Sequence, residues 1–201
     1  MKTLPFTNQA RFIFKSILAG TLIAMAGGVF LGCSNTIVGA FLFSIGLIGV
    51  IVLDANLFTG KIGYARSGSD FARAGIMLVF NLLIAFLIGV LYKGINLFPN
   101  PALPCGPFGD GSVRLSKEWY KMFFDGFGCG VLIYLAVELY KRTKSLIPVI
   151  LCVAAFILSG AEHSIADAFY LGASVLSWRA LGHLGLVIAG NAAGSRSEER
   201  R

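Results

Sequence analysis

Long stretches without charged side chains divide this chain. Five of them contain no aspartate, glutamate, lysine or arginine, and a sixth contains one acid, Asp125; they cover residues 16–32, 34–53, 74–92, 145–161, 180–195 and 122–137. A membrane-spanning helix needs about 20 mainly apolar residues. The pattern predicts an all-α integral membrane protein with a single membrane domain, residues 1–201, whose approximate spans are 12–33, 35–55, 72–92, 121–140, 145–171 (interrupted) and 178–195.

The composition narrows the class of protein. Of the 201 residues, 56% are hydrophobic and 13% are charged, and the mean hydropathy is +0.78. Soluble domains have about 25% charged residues, so this chain lacks the polar surface that a soluble enzyme needs. Membrane β-barrels alternate polar and apolar residues instead of forming long apolar runs. We therefore expect a lipid bilayer as the environment, and no enzyme activity, cofactor, metal or nucleic-acid partner.

The basic residues predict the orientation of the chain. If the six spans alternate from an inside N-terminus, the inside segments hold twelve lysines and arginines and the outside segments hold five. Lysine and arginine stay preferentially on the cytoplasmic side of bacterial membranes. The sequence thus predicts a multi-pass protein of the bacterial inner membrane with both termini cytoplasmic. The long connection 94–120 then lies outside.

Two segments break the rule of uninterrupted apolar helix. Residues 50–63 place an acid, an amide and a hydroxyl directly after an apolar run, and residues 156–167 place acids on both sides of a histidine. Non-helical backbone at membrane depth is tolerated where it lines a cavity or is buried in protein. Interrupted spans in corresponding positions of two halves point to a transport site. A faint match of this kind aligns Leu53-Asp54-Ala55 with Leu158-Ser159-Gly160.

The residues of these segments resemble the formate/nitrite transporter family. The likeness is carried by Leu57-Phe58-Thr59-Gly60 and by the run Ser159-Gly160-Ala161-Glu162-His163-Ser164-Ile165-Ala166. Shorter agreements lie at residues 18–20, 126–129, 135–137 and 190–194. The resemblance implies six transmembrane helices in an aquaporin-like inverted repeat, with the second and fifth helices interrupted. It also implies a homopentamer in which each protomer has its own pore for small monovalent anions such as formate, nitrite or hydrosulfide.

The resemblance also assigns roles to individual residues. His163 becomes the central pore histidine, and Thr59 lies within hydrogen-bonding reach of it or of the substrate. Glu162 and Asp167 flank the histidine along the chain. The remaining pathway residues are Phe43, Leu47 and Phe156 at the cytoplasmic constriction, Leu57 and Phe58 toward the other constriction, and either Arg114 or Lys117 as the basic residue of the outer vestibule.

The chemistry of such a pore follows from its residue types. A bare anion is costly to desolvate, whereas the neutral acid is far cheaper. Apolar constrictions exclude water and ions. A histidine, whose unperturbed pKa is about 6.5, can lend a proton to an entering anion. The sequence therefore predicts proton-coupled passage of a weak acid, and the alternative is a channel for a neutral solute such as water, ammonia or hydrogen sulfide. A second histidine, His183, is interpreted as structural.

The chain departs from the family pattern at three places. Asp167 and Gly130 stand where members usually carry asparagine, and Asn56 stands where a glutamate is common. These changes concern groups near the predicted pore, so they bear on the substrate more than on the fold.

Overall fold

The computed structural model describes residues 8–95, 113–174 and 177–199. Within these ranges the structure is helical. Its helices are α1 (Asn8–Gly32), α2 (Thr36–Val52), α3 (Phe58–Lys61), α4 (Gly68–Gly94), α5 (Val113–Ser116), α6 (Trp119–Thr143), α7 (Ile147–Leu158), α8 (Ser164–Gly172) and α9 (Trp178–Glu199), and a 3-10 turn, Ile62–Tyr64, follows α3. Among them, α1, α4 and α6 are long and apolar enough to cross a membrane, and α2 and α7 are shorter apolar helices.

The helix bounds lie within about four residues of the bounds of the predicted spans. The middle of the predicted loop 94–120 lies outside the described residues. The division into one membrane domain with six spans stays a prediction at this point, because α2, α7 and α9 do not qualify as spans by length and composition.

Local signals explain where several helices begin and end. Asn35 caps α2 by accepting hydrogen bonds from two backbone amides of its first turn. Ser67 and Asp70 form a reciprocal capping box at the start of α4. Proline lies in the first turn of α7, where its missing N–H costs nothing. Lys144 ends α6 in the left-handed conformation, with φ 56°.

The helices pack in two groups, and several of them begin or end at the same side of the bundle. In the first group α1 packs on α2 and α4, and α4 packs on α8; in the second group α6 packs on α7 and α9. The start of α1 lies beside the start of α4, where the Arg73 guanidinium stands 5.1 Å from the Phe12 ring centroid. α9 ends at the same level, since Arg196 donates a hydrogen bond to the Ala65 carbonyl. We call this the N-terminal end of the bundle, and the other the opposite end.

Glycines allow several of these helices to touch through their backbones. A Cβ added at Gly130 in α6 would lie 2.3 Å from the Asn191 carbonyl oxygen of α9. One added at Gly89 in α4 would lie 2.1 Å from the Phe169 carbonyl oxygen of α8. Small residues at helix contacts are the common means of close packing in membrane proteins. Gly130, a departure from the family pattern, is thus required by the packing of this chain.

Candidate functional site

Two apolar helices end in the same way before they cross the bundle. α2 ends at Val52 and α7 ends at Leu158, and each is followed by five non-helical residues and then by a short helix. The second residue of each break is left-handed: Asp54 has φ 47° and Gly160 has φ 77°. These two residues are 106 positions apart. The same spacing relates each residue of the first break, 53–57, to its counterpart in the second break, 159–163.

A spacing of 106 residues differs by one from the match suggested by the sequence, which aligned Leu53 with Leu158. The Leu53 amide donates to the Gly49 carbonyl at 3.0 Å, and the Ser159 amide donates to the Ala155 carbonyl at 3.0 Å. Leu53 is therefore equivalent to Ser159, and the expected match with Leu158 is wrong by one position. Similar side chains suggested the earlier alignment, whereas the hydrogen-bond pattern defines the backbone.

A buried asparagine fixes the first break. The Asn81 side chain of α4 accepts a hydrogen bond from the Phe58 amide at 2.9 Å. Its amide nitrogen donates to the Ser16 carbonyl at 2.7 Å and to the Asn56 carbonyl at 3.0 Å. One side chain therefore ties α1, the break and the start of α3 to α4.

A second buried asparagine fixes the second break with the same three bonds. The Asn191 side chain of α9 accepts from the Ser164 amide at 2.9 Å. Its amide nitrogen donates to the Gly126 and Glu162 carbonyls, each at 2.8 Å. Asn191 thus satisfies the Ser164 amide and the Glu162 carbonyl, which the interrupted helix leaves without helical partners, and ties them to α6.

Thr59 and His163 meet where the two breaks face each other. Both residues are buried, and Thr59 Oγ1 lies 2.8 Å from His163 Nε2. The other ring nitrogen, Nδ1, accepts from the Ala166 amide at 3.3 Å and so caps α8. Because Nδ1 accepts, the neutral ring carries its proton on Nε2, where it faces the threonine hydroxyl. The pair predicted from the sequence is therefore in direct contact.

Aromatic rings cover this pair on the side that faces the opposite end of the bundle. The Phe156 ring stacks on the His163 ring with centroids 6.2 Å apart. Phe43 meets Phe156 edge to face at 6.0 Å, and Phe30, near the end of α1, meets Phe43 at 6.5 Å. The three phenylalanines therefore extend from the histidine toward the opposite end of the bundle.

A cavity at the N-terminal end of the bundle stops short of the pair, because neither Thr59 nor His163 belongs to its lining. Its volume is about 570 Å³, and Leu47, Leu57 and Gly60 form its wall beside Thr59. The sequence prediction grouped Leu47 with Phe43, and Leu57 with Phe58. In the structure Leu47 and Leu57 line the same cavity, whereas Phe58 packs in a separate apolar cluster with Ile62, Ala65, Ala74 and Met77.

Arg114 binds two buried carboxylates, those of Glu162 and Asp167. Its guanidinium lies 2.7 Å from an Asp167 oxygen and 3.5 Å from a Glu162 oxygen, and both carboxylates are almost fully buried. The Asp167 carboxylate, which flanks the histidine along the chain, therefore pairs with Arg114. The pKa of the Arg114 guanidinium is raised because attraction by the carboxylates outweighs the cost of burial.

Lys117 completes this charged cluster. Its ammonium lies 2.6 Å from Glu162 and 2.5 Å from Asp125. Burial lowers the pKa of this ammonium, but the hydrogen bonds to the two carboxylates raise it by more, so the net pKa lies above its usual 10.5. The structure therefore brings both candidate vestibule bases, Arg114 and Lys117, to the same place.

His183 also belongs to this cluster, since its Nε2 is hydrogen-bonded to Glu162. Glu162, Asp167 and His183 lie close enough together to suggest metal ligands. Arg114 and Lys117 already bind the two carboxylates, and a divalent cation would have to displace these positive charges. The donor set therefore does not favour a metal site.

Several residues of the site were missed by sequence reasoning. Asn81 and Asn191 each stand in an uncharged run, where a buried amide needs hydrogen-bond partners, and this was the available signal. His183 was interpreted as structural, and nothing in its neighbours along the chain indicated a partner from the second break.

An all-helical chain with a buried polar pair between two broken apolar helices has the features of a membrane transport protein. The sequence model of the family described as formate/nitrite transporter matches residues 6–196. The chain therefore belongs to the formate/nitrite transporter family. The predicted family membership is confirmed.

Curated relatives agree with this membership. A probable formate transporter of Methanothermobacter thermautotrophicus is 29% identical over 80% of this chain and 73% of its own length. The nitrite transporter NirC of Escherichia coli is 32% identical over 68% of this chain. The chain spans about half the length of that relative, 54%, and of the formate channel FocA of Haemophilus influenzae, 55%. These relatives are transporters and channels, not enzymes, as expected from the sequence.

Solved structures show the same fold. A chain described as an FNT family ion channel superposes with a TM-score of 0.79 at 24% identity, covering 94% of this chain and 87% of that one. A second, described as a pentameric formate channel with formate bound, has a TM-score of 0.73 at 18% identity and covers 92% of both chains. The predicted all-helical membrane fold is thereby confirmed at the level of overall architecture.

Proposed function

We propose that this chain forms a channel or transporter for small monovalent anions of weak acids, of the formate, nitrite or hydrosulfide class, which pass together with a proton. The observation that carries the proposal is the buried contact between Thr59 and His163 at 2.8 Å. A hydroxyl that accepts from the imidazole N–H can donate its own proton to an anion. The pair thus offers a substrate a hydrogen-bond donor and a titratable group at one point.

Proton coupling follows from the cost of moving charge through an apolar passage. An unpaired anion between Leu57 and Phe156 would lose its hydration without compensation, whereas the neutral acid would lose much less. If His163 took up a proton at Nδ1, its ring would be charged in an apolar passage, which is costly. The ring would therefore readily pass its Nε2 proton through the Thr59 hydroxyl to the anion, which leaves the ring neutral. His163 therefore acts as a transient proton donor, and Thr59 holds the anion beside it.

Apolar groups on both sides of the pair serve as constrictions in this proposal. Leu47 and Leu57 narrow the passage at the bottom of the cavity on the N-terminal side. Phe43 and Phe156 narrow it toward the opposite end. This assignment revises the expected grouping and is supported by the ring contacts and by the lining of the cavity.

We further propose six transmembrane helices in an inverted repeat, with the second and fifth interrupted. The repeat would relate α1–α4 to α6–α9, and the equivalent hydrogen bonds of Asn81 and Asn191 support it. α2 followed by α3 forms the second span, and α7 followed by α8 forms the fifth. The basic residues favour cytoplasmic termini in a bacterial inner membrane.

A homopentamer is proposed for the assembly. The related formate channel is described as pentameric. Large apolar side chains are also exposed along the lipid- or neighbour-facing sides of the bundle, among them Phe41, Ile45, Val79 and Leu83. The bilayer and neighbouring copies of the chain would cover these side chains.

The alternative, a channel for a neutral solute, is favoured by one observation. The pathway side of the second break holds two buried carboxylates, Glu162 and Asp167, which repel anions. Arg114 and Lys117 lie against them and offset this repulsion. Because these cations balance the carboxylates, we favour the anion pathway.

The test is uptake by proteoliposomes at pH 5.5 to 8, with a pH dye inside. Formate, nitrite and hydrosulfide are compared with water and ammonia. We expect anion-dependent internal acidification in the wild type, and its loss in His163→Asn, whose side chain keeps an amide donor but cannot take up a proton near neutral pH. Thr59→Val should weaken uptake at every pH, because it removes the hydroxyl but leaves the histidine.

Size-exclusion chromatography establishes that the variants assemble as the wild type does. If His163→Asn transports with wild-type rate and pH dependence, the histidine is structural and the proton-coupled mechanism is wrong. Passage of ammonia or water without anion-dependent acidification would establish the neutral-solute channel instead.

A further inference from the structure

Equivalent positions in the short helices that follow the two breaks carry opposite charges. The spacing of 106 residues that relates the breaks pairs Lys61, on the N-terminal side, with Asp167, on the opposite side. Asp167 is matched by the Arg114 guanidinium at 2.7 Å. The two mouths of the proposed passage therefore differ in the charge of the same structural position.

The closest polar partner of Lys61 is neutral. Its ammonium donates to the side-chain oxygen of Asn56 at 2.7 Å, whereas the nearest carboxylate in the described part of the chain, Asp54, is 3.6 Å away. Asp54 is held by Lys15 at 2.5 Å, and its side chain is 75% exposed. An ammonium has three N–H donors, so Lys61 keeps hydrogen-bonding capacity for a ligand.

The cavity around Lys61 carries an excess of positive charge. Its lining includes three cations, Lys61, Arg73 and Lys141, and two carboxylates, Asp54 and Asp70. Both carboxylates are engaged elsewhere, Asp54 by Lys15 and Asp70 by the backbone amides of residues 66 and 67. A cavity with walls of low polarity concentrates the field of such cations and attracts small anions.

Residues of the cavity wall are also neighbours of the Thr59–His163 pair along the chain. Lys61 follows Thr59 by two residues, and Leu57 and Gly60 separate the cavity from the Thr59–His163 pair. Lys141 also lines the cavity, and its ammonium lies 3.5 Å from the Tyr64 ring centroid. Because Leu57 lines the same cavity, an anion bound by Lys61 would stand before the proposed Leu57 constriction.

We propose that this cavity is a second anion-binding site, distinct from the Thr59–His163 pair, in which Lys61 binds a small monovalent anion before or after its passage. The order of binding and passage rests on the proposed function, but the binding itself does not. At the opposite mouth the equivalent position is Asp167, which is paired with Arg114 and does not bind an anion in this way.

Two measurements on the full-length protein test the site. The first is the rise in melting temperature in detergent on addition of formate or nitrite, which reports binding without transport. The second is the anion concentration that half-saturates uptake, measured from each face of oriented proteoliposomes. We expect Lys61→Gln to lose most of the thermal shift and to raise the half-saturating concentration at the N-terminal face by about fivefold, as expected for the loss of one charge near an anion. The value at the opposite face should stay unchanged.

Matched variants make the result specific. Lys61→Arg should keep the thermal shift, and Arg11→Gln, which removes an exposed charge at the same end outside the cavity, should behave like the wild type. A wild type without any anion-dependent thermal shift would overturn the site, as would equal effects of Lys61→Gln at both faces or an equal effect of Arg11→Gln. A shift lost in Lys61→Gln, in a protein that carries no weak acid at all, would keep the site and reject the proposed function.

Discussion

Asn81 and Asn191 make the same three hydrogen bonds to equivalent backbone groups, one set in each half of the bundle. Each joins a long helix to a broken one, and each is fully buried. The broken helices expose amides and carbonyls inside the bundle, where no water is at hand to satisfy them. The side-chain amides of these two asparagines therefore stabilise the breaks within an apolar interior.

Replacing either asparagine by alanine should destabilise the protein strongly. Asn191→Ala removes three buried hydrogen bonds and leaves the Ser164 amide and the Glu162 carbonyl without this partner, so we expect the free energy of unfolding to fall by about 3 kcal/mol or more. Asn35→Ala is the matched control, because it removes an exposed helix cap whose loss costs about 1 kcal/mol. Detergent unfolding curves measure both, and equal losses would show that Asn191 has no special role.

Gly130 should tolerate no side chain at all. Gly130→Ala places a methyl group 2.3 Å from the Asn191 carbonyl oxygen and must push α9 away from α6. We expect a loss of about 2 kcal/mol or more, as for other overpacked sites, together with a reduced yield of assembled protein. Gly128→Ala in the same helix is the control, because the nearest atom to its added methyl group lies at 4.0 Å. Equal thermal stability of the two variants would contradict the close contact of α6 with α9.

Arg114 and Asp167 should be far more sensitive to single than to double replacement. Arg114→Gln leaves a buried carboxylate without its closest cation, at a cost of about 3–5 kcal/mol in the free energy of unfolding. The double variant Arg114→Gln/Asp167→Asn removes both charges and should recover most of that loss.

The control pair is Arg142 and Glu138, which form an ion pair one helical turn apart with Arg142 largely exposed. Arg142→Gln should change the free energy of unfolding by less than about 0.5 kcal/mol. A double-mutant cycle from chemical unfolding gives the coupling energy. Additive effects of Arg114→Gln and Asp167→Asn would mean that the two charges do not depend on each other.

Phe156→Ala should relax the size limit of the proposed passage. The ring covers His163 and meets Phe43, so its removal opens the side of the pair that faces the opposite end. We expect larger carboxylates such as acetate and propionate to enter proteoliposomes, with formate uptake retained. Leu158→Ala, on the exposed side of the same helix, should leave size selectivity unchanged. Unchanged selectivity in Phe156→Ala would place the constriction elsewhere.

The sequence predicted the helices well because the absence of charge over about 20 residues is a direct consequence of the bilayer. It also predicted the contact between Thr59 and His163, through the family pattern of the two breaks. The position of Leu47 relative to Phe43 was harder to predict. The two lie on one apolar helix, and a sequence without polar contrast does not indicate which of its faces meets the cavity.

The charged cluster around Arg114 shows a second limit of prediction from sequence. Glu162 and Asp167 flank His163 along the chain. In space the two carboxylates face Arg114, Lys117 and His183, which come from other elements. The direction of a side chain in non-helical backbone depends on φ and ψ at the break, which the residue types around Gly160 do not determine.

The Thr59–His163 hydrogen bond has a consequence for the way in which a substrate could enter the proposed passage. Each break is held by its own asparagine, so the central bond is not needed to keep either backbone in place. A hydrogen bond of this kind contributes about 1 kcal/mol, which is close to thermal energy. Rotation of the Thr59 hydroxyl can therefore exchange the bond to His163 for a bond to a substrate, while the ring, held at Nδ1 by the Ala166 amide, and the helices stay still.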